Sequence, residues 1–186
     1  MPNPVAPQAP VMTWRKLRQA VAAVVKGGAP NARVHDRWKL KFSEDGKVDA
    51  AILKPNTGPS AGKIHSWMVG VSAAEVLKNA NGDPEFIGGG RFDWSVTLAV
   101  WGFLDYTLGT EAASSDDAAE AEAEAVAAWI AANSSGQNPG LAMDDPTGLR
   151  RVGVLEFSSI DVHPFGGGSN AHVAQGSLVC VVTRLY

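Results

Sequence analysis

Residues 92–106, FDWSVTLAVWGFLDY, contain the strongest strand pattern in the sequence. Val96 and Leu98 alternate with Ala99 and Trp101, so apolar side chains point to both faces of the predicted strand. A strand that is apolar on both faces belongs inside a sheet and needs a covering layer above and below it. This stretch therefore predicts a sheet, and the rest of the chain must supply its cover.

Two helices are predicted to cover one face of this sheet. Thr13 is a suitable N-cap for the first helix, which covers residues 14–26 and stops at Gly27 and Gly28. The second covers residues 111–133, where alanine is the commonest residue. Its apolar positions form a narrow stripe that we expect to be buried. The stripe consists of Ala119, Ala123, Val126, Trp129 and Ile130.

An N-terminal hairpin is the first candidate cover for the other face. Apolar and basic residues alternate over residues 33–42, which predicts a strand. The turn chemistry of residues 44–47 predicts that residues 48–53 return as its partner. Neighbouring subunits are the second candidate, because an uncovered apolar face of this size marks an interaction site.

The remaining elements are mainly strands. Residues 64–71 read as a strand, and the capping-box pattern of residues 72–75 predicts a short helix that ends near Asn79. A loop follows up to Gly90. Two closing strands are predicted over residues 152–162 and 173–186, and the last of these is apolar on both faces.

These elements predict an α/β (α+β) fold with a single mixed, mainly antiparallel sheet and two main helices packed on one face. Residues 1–12 read as a proline-rich arm and residues 13–186 as one domain, in which residues 43–91 form a hairpin and loop insertion. The start of the chain lacks the features of a secretory signal, so we expect synthesis and assembly inside a cell. We predict no membrane association, because no stretch approaches the roughly 20 apolar residues of a membrane span.

The net charge of -3 conceals a strong separation of charge along the chain. Residues 1–91 carry 13 basic and 7 acidic side chains, a charge of +6. Residues 92–149 carry ten carboxylates and no Lys or Arg, and residues 150–186 carry three basic and two acidic side chains. Such polarity predicts complementary surfaces or a directed electrostatic field.

The acidic residues of the second helix cluster on one side. Asp116, Asp117, Glu120 and Glu124 fall within an arc of roughly 100° and form what we call the acidic stripe. A solvated helix face favoured by the helix dipole is one interpretation. Contact with another molecule is the other, because Glu120 and Glu124 repel at i,i+4 without a basic partner. Glu122 lies outside the stripe and is predicted to contact another chain.

A basic strand face is predicted at the other end of the sequence. Arg33, Arg37, Lys39 and Lys41 share this face with His35, and together the five residues occupy alternate positions at intervals of about 6.6 to 7 Å. This face is suited to contact a partner, a neighbouring subunit or phosphates, or to protect a sheet edge from aggregation. We do not expect specific nucleic-acid recognition, because the face has no aromatic platform for base stacking.

Gly58-Pro59-Ser60-Ala61-Gly62 matches the G-x-S-x-G pattern of hydrolase nucleophile elbows. Asp161, followed by His163 or His172, would supply the other two triad members in hydrolase order. An elbow requires a helix after the serine, whereas an extended segment follows here. A turn between two strands is therefore the favoured interpretation, and no catalytic residue is predicted.

Metal and cofactor sites are not predicted either. Asp161 and His163 share one strand face, but no further ligands stand at suggestive spacing. The single cysteine, Cys180, excludes an intramolecular disulfide and a cysteine-based zinc cluster.

Four segments together resemble the tail terminator (tail completion) proteins of long-tailed bacteriophages. They are a first helix in TWRKLRQAVAAVVKG, the two-faced strand FDWSVTLAVWGFLDY, an acidic helix in AAEAEAEAVAAWIAAN, and closing strands in LRRVGVLEFSSIDVHPFGGGSNAHVAQGSLVCVVTRLY. The resemblance lies in the order and texture of these elements and covers most of residues 13–186.

The resemblance implies a non-enzymatic virion protein without cofactors, assembled in the host cytoplasm and placed at the junction of tail and neck. Its subunits would form a ring, usually a hexamer, that stops growth of the tail tube. The implied partners are other copies of the chain, the major tail tube protein and a head-side neck or connector protein. Genomic double-stranded DNA would pass through the lumen without specific binding.

Under that resemblance the acidic stripe has two candidate roles. It would line the lumen and keep DNA from sticking, or it would meet the basic strand face of the next subunit and close the ring. The alternatives to a terminator are another head-tail connector or head-closure protein and a small serine hydrolase that uses Ser60. A basic nucleic-acid-binding module is a further class, which the negative net charge disfavours.

Overall fold

The computed structural model describes residues 12–40, 49–84, 86–88, 90–105, 115–134, 149–165 and 170–185. The helices are α1 (Trp14–Gly28) and α2 (Ser115–Ser134), with a short 3₁₀ helix at Ala50–Leu53. The strands are β1 (Arg33–His35), β2 (His65–Val76), β3 (Phe86–Gly88), β4 (Arg91–Asp105), β5 (Leu149–Pro164) and β6 (Asn170–Leu185). No helix in these ranges is both long and apolar enough to cross a membrane.

All the strands belong to one sheet with the order β1-β2-β4-β6-β5, while β3 pairs with β4 beside this path. β1 is parallel to β2, and the other strand pairs are antiparallel. The predicted α+β fold with a mixed, mainly antiparallel sheet is therefore confirmed. In this strand order β1 and β5 are the two edge strands.

The predicted central strand is confirmed as β4, between β2 and β6. Val96 and Leu98 are fully buried beneath the helices. Trp101 and Phe103 point to the opposite face, where they belong to a second apolar cluster. Residues 92–106 are apolar on both faces, as predicted for a covered strand, because each face of β4 packs against its own apolar cluster.

Both helices pack on one face of the sheet, as predicted. Thr13 caps α1, since its side chain accepts a hydrogen bond of 3.2 Å from the backbone N–H of Lys16. The stripe of α2 is buried at its alanines, Val126 and Ile130, whereas Trp129 is 47% exposed. The prediction that Trp129 is buried was wrong. Its indole lies against Gly27 of α1, next to the contact between the two helices.

The cover of the second face differs from the predicted hairpin. β1 ends at His35 and pairs in parallel with β2, and residues 50–53 form the 3₁₀ helix instead of a returning strand. The physical reason is tertiary packing. Trp38 lies across Gly70 and packs edge-on against Trp101, with their ring centroids 5.0 Å apart. Leu53 is buried in the second apolar cluster. The predicted turn at residues 44–47 lies outside the described residues.

The helix predicted to begin at Ser72 was also wrong. β2 continues to Val76, because its residues 73–76 pair with residues 94–97 of β4 after a register shift. A long neighbouring strand offers this segment a complete set of backbone hydrogen bonds, which outweighs the local capping-box preference. The predicted loop that follows contains the short strand β3.

The two closing strands are confirmed as β5 and β6, each longer than the predicted core. On β6, Leu178, Cys180 and Val182 are fully buried beneath the helices. On its opposite face Val179 is 42% exposed, so apolar cover there is only partial within the described residues. The proline-rich arm up to residue 11 and residues 106–114 lie outside those residues.

Candidate functional site

The two helices carry opposite charge. α1 contains four basic residues and no acidic ones, whereas α2 contains five acidic residues and no basic ones. α1 packs on β1 and β2, while α2 packs against α1 and β5 and also contacts β6. The helices also contact each other, and β1 and β5 are the two edges of the strand order. The exposed basic side chains of α1 and the exposed acidic side chains of α2 are therefore displaced toward opposite edges of one sheet.

Three arginines surround a cleft of about 270 Å³ at the β1 edge. Its lining consists of Arg15, Arg18, Asp36 and Arg37, and we call it the arginine cleft. Arg18 is held by its Nε, which donates a hydrogen bond of 2.7 Å to the backbone carbonyl of Asp36. Arg15 and Arg37 are exposed. Three guanidinium groups against one carboxylate make the cleft favourable for an anionic group.

The predicted basic strand face does not form as one surface. Arg33 lies on β1 and its Nη1 donates to the Lys54 carbonyl at 3.4 Å, but Arg37 and Lys39 follow the end of the strand. Lys41 lies outside the described residues. The alternation of exposed basic residues fails because His35, the last residue of β1, is buried next to the Ile52 carbonyl. This burial lowers the pKa of the His35 imidazole.

The acidic stripe lies at the opposite edge, and all four of its residues are exposed. Asp116 is also close to the sheet, with its Oδ1 3.4 Å from Nδ1 of the buried His172. Glu120 and Glu124 border a groove of about 350 Å³ between α2 and β5. The groove is otherwise lined by Ala123, Phe157, Ser158, Ser159 and Ile160, so carboxylates surround a partly apolar floor.

Glu122 points away from the stripe into a network beneath α2. Its Oε1 accepts a hydrogen bond of 2.8 Å from Trp67 Nε1, and its Oε2 lies 2.8 Å from His65 Nε2. Nδ1 of the same imidazole lies 2.6 Å from the Ser60 hydroxyl. Ser60 and His65 are each only 4% exposed. Glu122, predicted to contact another chain, therefore uses both carboxylate oxygens within its own chain.

The hydrogen bonds assign a role to each atom of this network. Glu122 as a carboxylate only accepts, so His65 Nε2 carries a proton and donates to it. In the neutral imidazole Nδ1 is then the acceptor, and the Ser60 hydroxyl donates to it. Trp67 is fully buried, and Glu122 satisfies its indole N–H. The network fastens α2 to the start of β2.

Ser60, His65 and Glu122 have the composition of a catalytic triad but differ from one in geometry. In the serine protease arrangement the serine faces Nε2 of the imidazole, whereas Ser60 faces Nδ1. The backbone N–H groups of Ala61 and Gly62 donate to the carbonyls of Gly58 and Pro55. They therefore cannot serve an oxyanion without first breaking these bonds.

The triad partners considered in the sequence are not brought to Ser60. Asp161 and His163 are exposed on β5, and His172 faces Asp116. Ser60 is followed by a strand and not a helix, which departs from a nucleophile elbow as expected, but the element before it is the 3₁₀ helix and not the predicted strand. His65 was overlooked, although its position five residues after Ser60 was one available signal.

Metal ligands and a reactive thiol are the remaining chemical candidates. The described ranges contain no group of three or more His, Cys, Asp and Glu that could hold a metal ion. Cys180 is buried beneath the helices, and this burial raises its pKa to about 12. Its thiol therefore stays protonated and unreactive near neutral pH.

The fold and its surfaces define a small α+β protein with oppositely charged edges. No protein-family model and no curated protein matches the sequence. Function is therefore inferred from the two charged edges and from the Ser60 network.

Proposed function

We propose that the protein is a tail terminator of a long-tailed bacteriophage. Its subunits form a ring of six copies that caps the tail tube, stops its polymerisation and joins the tail to the head-side neck. One observation supports this proposal most: basic and acidic side chains lie at opposite edges of a single sheet.

This charge distribution favours head-to-tail association of identical copies. A two-fold contact between identical edges would place like charges against each other, which is unfavourable. A contact between opposite edges pairs α1 of one copy with α2 of the next. Each copy then has one free edge of each sign until the ring closes. A closed ring is the form that a cap at the end of a tube requires.

The same charges suit the passage of DNA. Acidic side chains that border the lumen repel the phosphate backbone, so the genome slides without being held. Asp116 and Asp117, in the first turn of α2, are both exposed. The partners in this proposal are the major tail tube protein on one face of the ring and a neck or connector protein on the other, in a virion assembled in the host cytoplasm.

Assembly on the tube tests the proposal. Native mass spectrometry of the chain, alone and with preformed tail tubes, is expected to give a six-subunit species, at least when tubes are present. Added to polymerising tube protein, the chain is expected to shorten the tubes. A chain that stays monomeric with tubes and leaves their length unchanged contradicts the proposal. A ring that binds only the connector identifies a head-closure protein instead.

Salt provides a second readout of the same ring. Contacts between exposed charges weaken when salt reduces the Debye length from about 10 Å at 0.1 M to about 3 Å at 1 M. We expect the ring to dissociate at 1 M NaCl. A ring that resists this salt concentration would contradict a subunit contact held by exposed charges.

Serine hydrolysis is the second candidate, because Ser60, His65 and Glu122 form a connected network. The reaction would require Ser60 to become accessible and an oxyanion site to open beside it. We expect a fluorophosphonate probe to label neither the wild type nor the Ser60→Ala variant. Labelling of the wild type that disappears in the Ser60→Ala variant would establish a nucleophile and favour the hydrolase.

A further inference from the structure

We propose that the arginine cleft of one copy binds Glu120 and Glu124 of the next copy. This inference rests on the proposed ring and names the side chains that close it. The occupant is a second copy of this chain, and the recognised chemistry is a pair of carboxylates presented by a helix.

The cleft is built for carboxylates. A guanidinium group offers planar, paired donors that match the two oxygens of a carboxylate. Arg18 is fixed by its bond to the Asp36 backbone, whereas Arg15 and Arg37 are exposed and able to reach an incoming group. Asp36 is the one acidic residue that lines the cleft, so the lining carries a net charge of +2, from three arginines and one carboxylate.

Glu120 and Glu124 are suited to fill the cleft. They are one helical turn apart, so their Cβ atoms lie about 5 to 6 Å from each other on the same side of α2. Both are exposed, and neither has a hydrogen-bond or ion-pair partner within the described ranges of the chain. Two like charges at this spacing repel each other, and a shared cationic partner relieves that repulsion.

The groove beside these glutamates adds an apolar component. Ala123, Phe157 and Ile160 contribute to its lining between α2 and β5. Arginine has a long aliphatic stem, which can lie along such a surface while its charged end stays at the rim. An arginine of the neighbouring copy would thus be held by both parts of its side chain.

The locations of the two surfaces make the contact directional. The arginine cleft lies at the β1 edge, and the groove lies at the β5 edge. One copy therefore uses both surfaces at once, toward different neighbours. A contact of this kind continues from copy to copy until the ring closes.

Charge reversal in two separate proteins tests the contact. One protein carries Arg15→Glu and Arg37→Glu, and the other carries Glu120→Arg and Glu124→Arg. All four positions are exposed, so circular dichroism is expected to show intact folds. Alone, each protein is expected to form rings on tail tubes at least tenfold less than wild type. Mixed in equal amounts, they are expected to recover alternating rings with an even number of copies.

Reversal of exposed charges away from both surfaces is the control. Glu75→Arg and Lys78→Glu lie at and just beyond the end of β2, and each single variant should form rings like wild type. Normal rings from either reversed protein alone, or no recovery on mixing while wild type assembles, would overturn this contact but leave the terminator proposal standing. Failure of wild type itself to assemble on tubes would remove both.

Discussion

Replacing Glu122 by leucine is expected to lower the free energy of unfolding by about 2–4 kcal/mol, because it leaves two buried donors without an acceptor. Trp67 Nε1 and His65 Nε2 both bond to this carboxylate, and both residues are at most 4% exposed. The leucine fills a similar volume but accepts no hydrogen bond. Urea unfolding followed by tryptophan fluorescence measures the loss.

Two further variants separate this network from a general effect of charge. Glu122→Gln keeps one carbonyl acceptor, so we expect it to lose roughly half as much stability as the leucine variant. Glu124→Leu removes an exposed carboxylate of the same helix and is expected to change stability little. Equal effects of the leucine replacements at Glu122 and Glu124 would show that the network does not fasten α2.

Replacing Gly28 by alanine is expected to destabilise the protein by about 1–3 kcal/mol, although alanine is the better helix former. A Cβ atom at this position would lie 2.8 Å from Cα of Val126 and 3.2 Å from the carbonyl oxygen of Ala125. Both atoms belong to the backbone of α2, so the two helices would have to move apart. Thermal unfolding of Gly28→Ala against wild type measures this effect.

Gly27 provides the comparison for this prediction. A Cβ atom there would overlap the indole of Trp129, which is 47% exposed and can rotate toward solvent. Gly27→Ala is therefore expected to cost less than Gly28→Ala. If Gly28→Ala raised the melting temperature, helix propensity would outweigh packing, and the close approach of the helices would not be needed for stability.

The elements that the sequence predicts well are those whose pattern is decided by burial. β4 is apolar on both sides because it lies in the middle of the sheet, and this environment is visible in residues 92–106 alone. α1 is similarly clear, since Thr13 and the apolar spacing predict its start and its buried face. The predicted stop at Gly27 was wrong, because the helix includes Gly27 and Gly28 and ends at Gly28. Local and tertiary preferences coincide in these segments.

The predictions that failed are those in which a distant partner decides the structure. Ser72 begins a capping-box sequence, which favours a helix, but the following residues pair with β4 and form a strand. Trp38 belongs to an alternating pattern, yet it leaves the sheet to cover Gly70. Neither partner is evident from the local sequence, because the choice depends on backbone pairing and packing far along the chain.

The candidate sites divide in the same way. The separation of charge is a property of composition and was visible directly, whereas its placement at opposite edges required the strand order. The surrounding glycine pattern singles out Ser60, but His65 and Glu122 are 57 residues apart, and only the fold brings them together. The partners considered for Ser60 followed the order of known hydrolases and proved to lie elsewhere.

The burial of Cys180 provides a practical route to the geometry of the assembly. The chain contains a single cysteine, and its thiol has a pKa of about 12 and lies beneath the helices. Thiol-directed dyes should leave it unmodified in the native protein, without any need to remove it. A cysteine introduced at Glu75 or Lys78, which are exposed and lie away from both charged surfaces, would then take up label selectively. Energy transfer between differently labelled copies would report the spacing and number of subunits in solution.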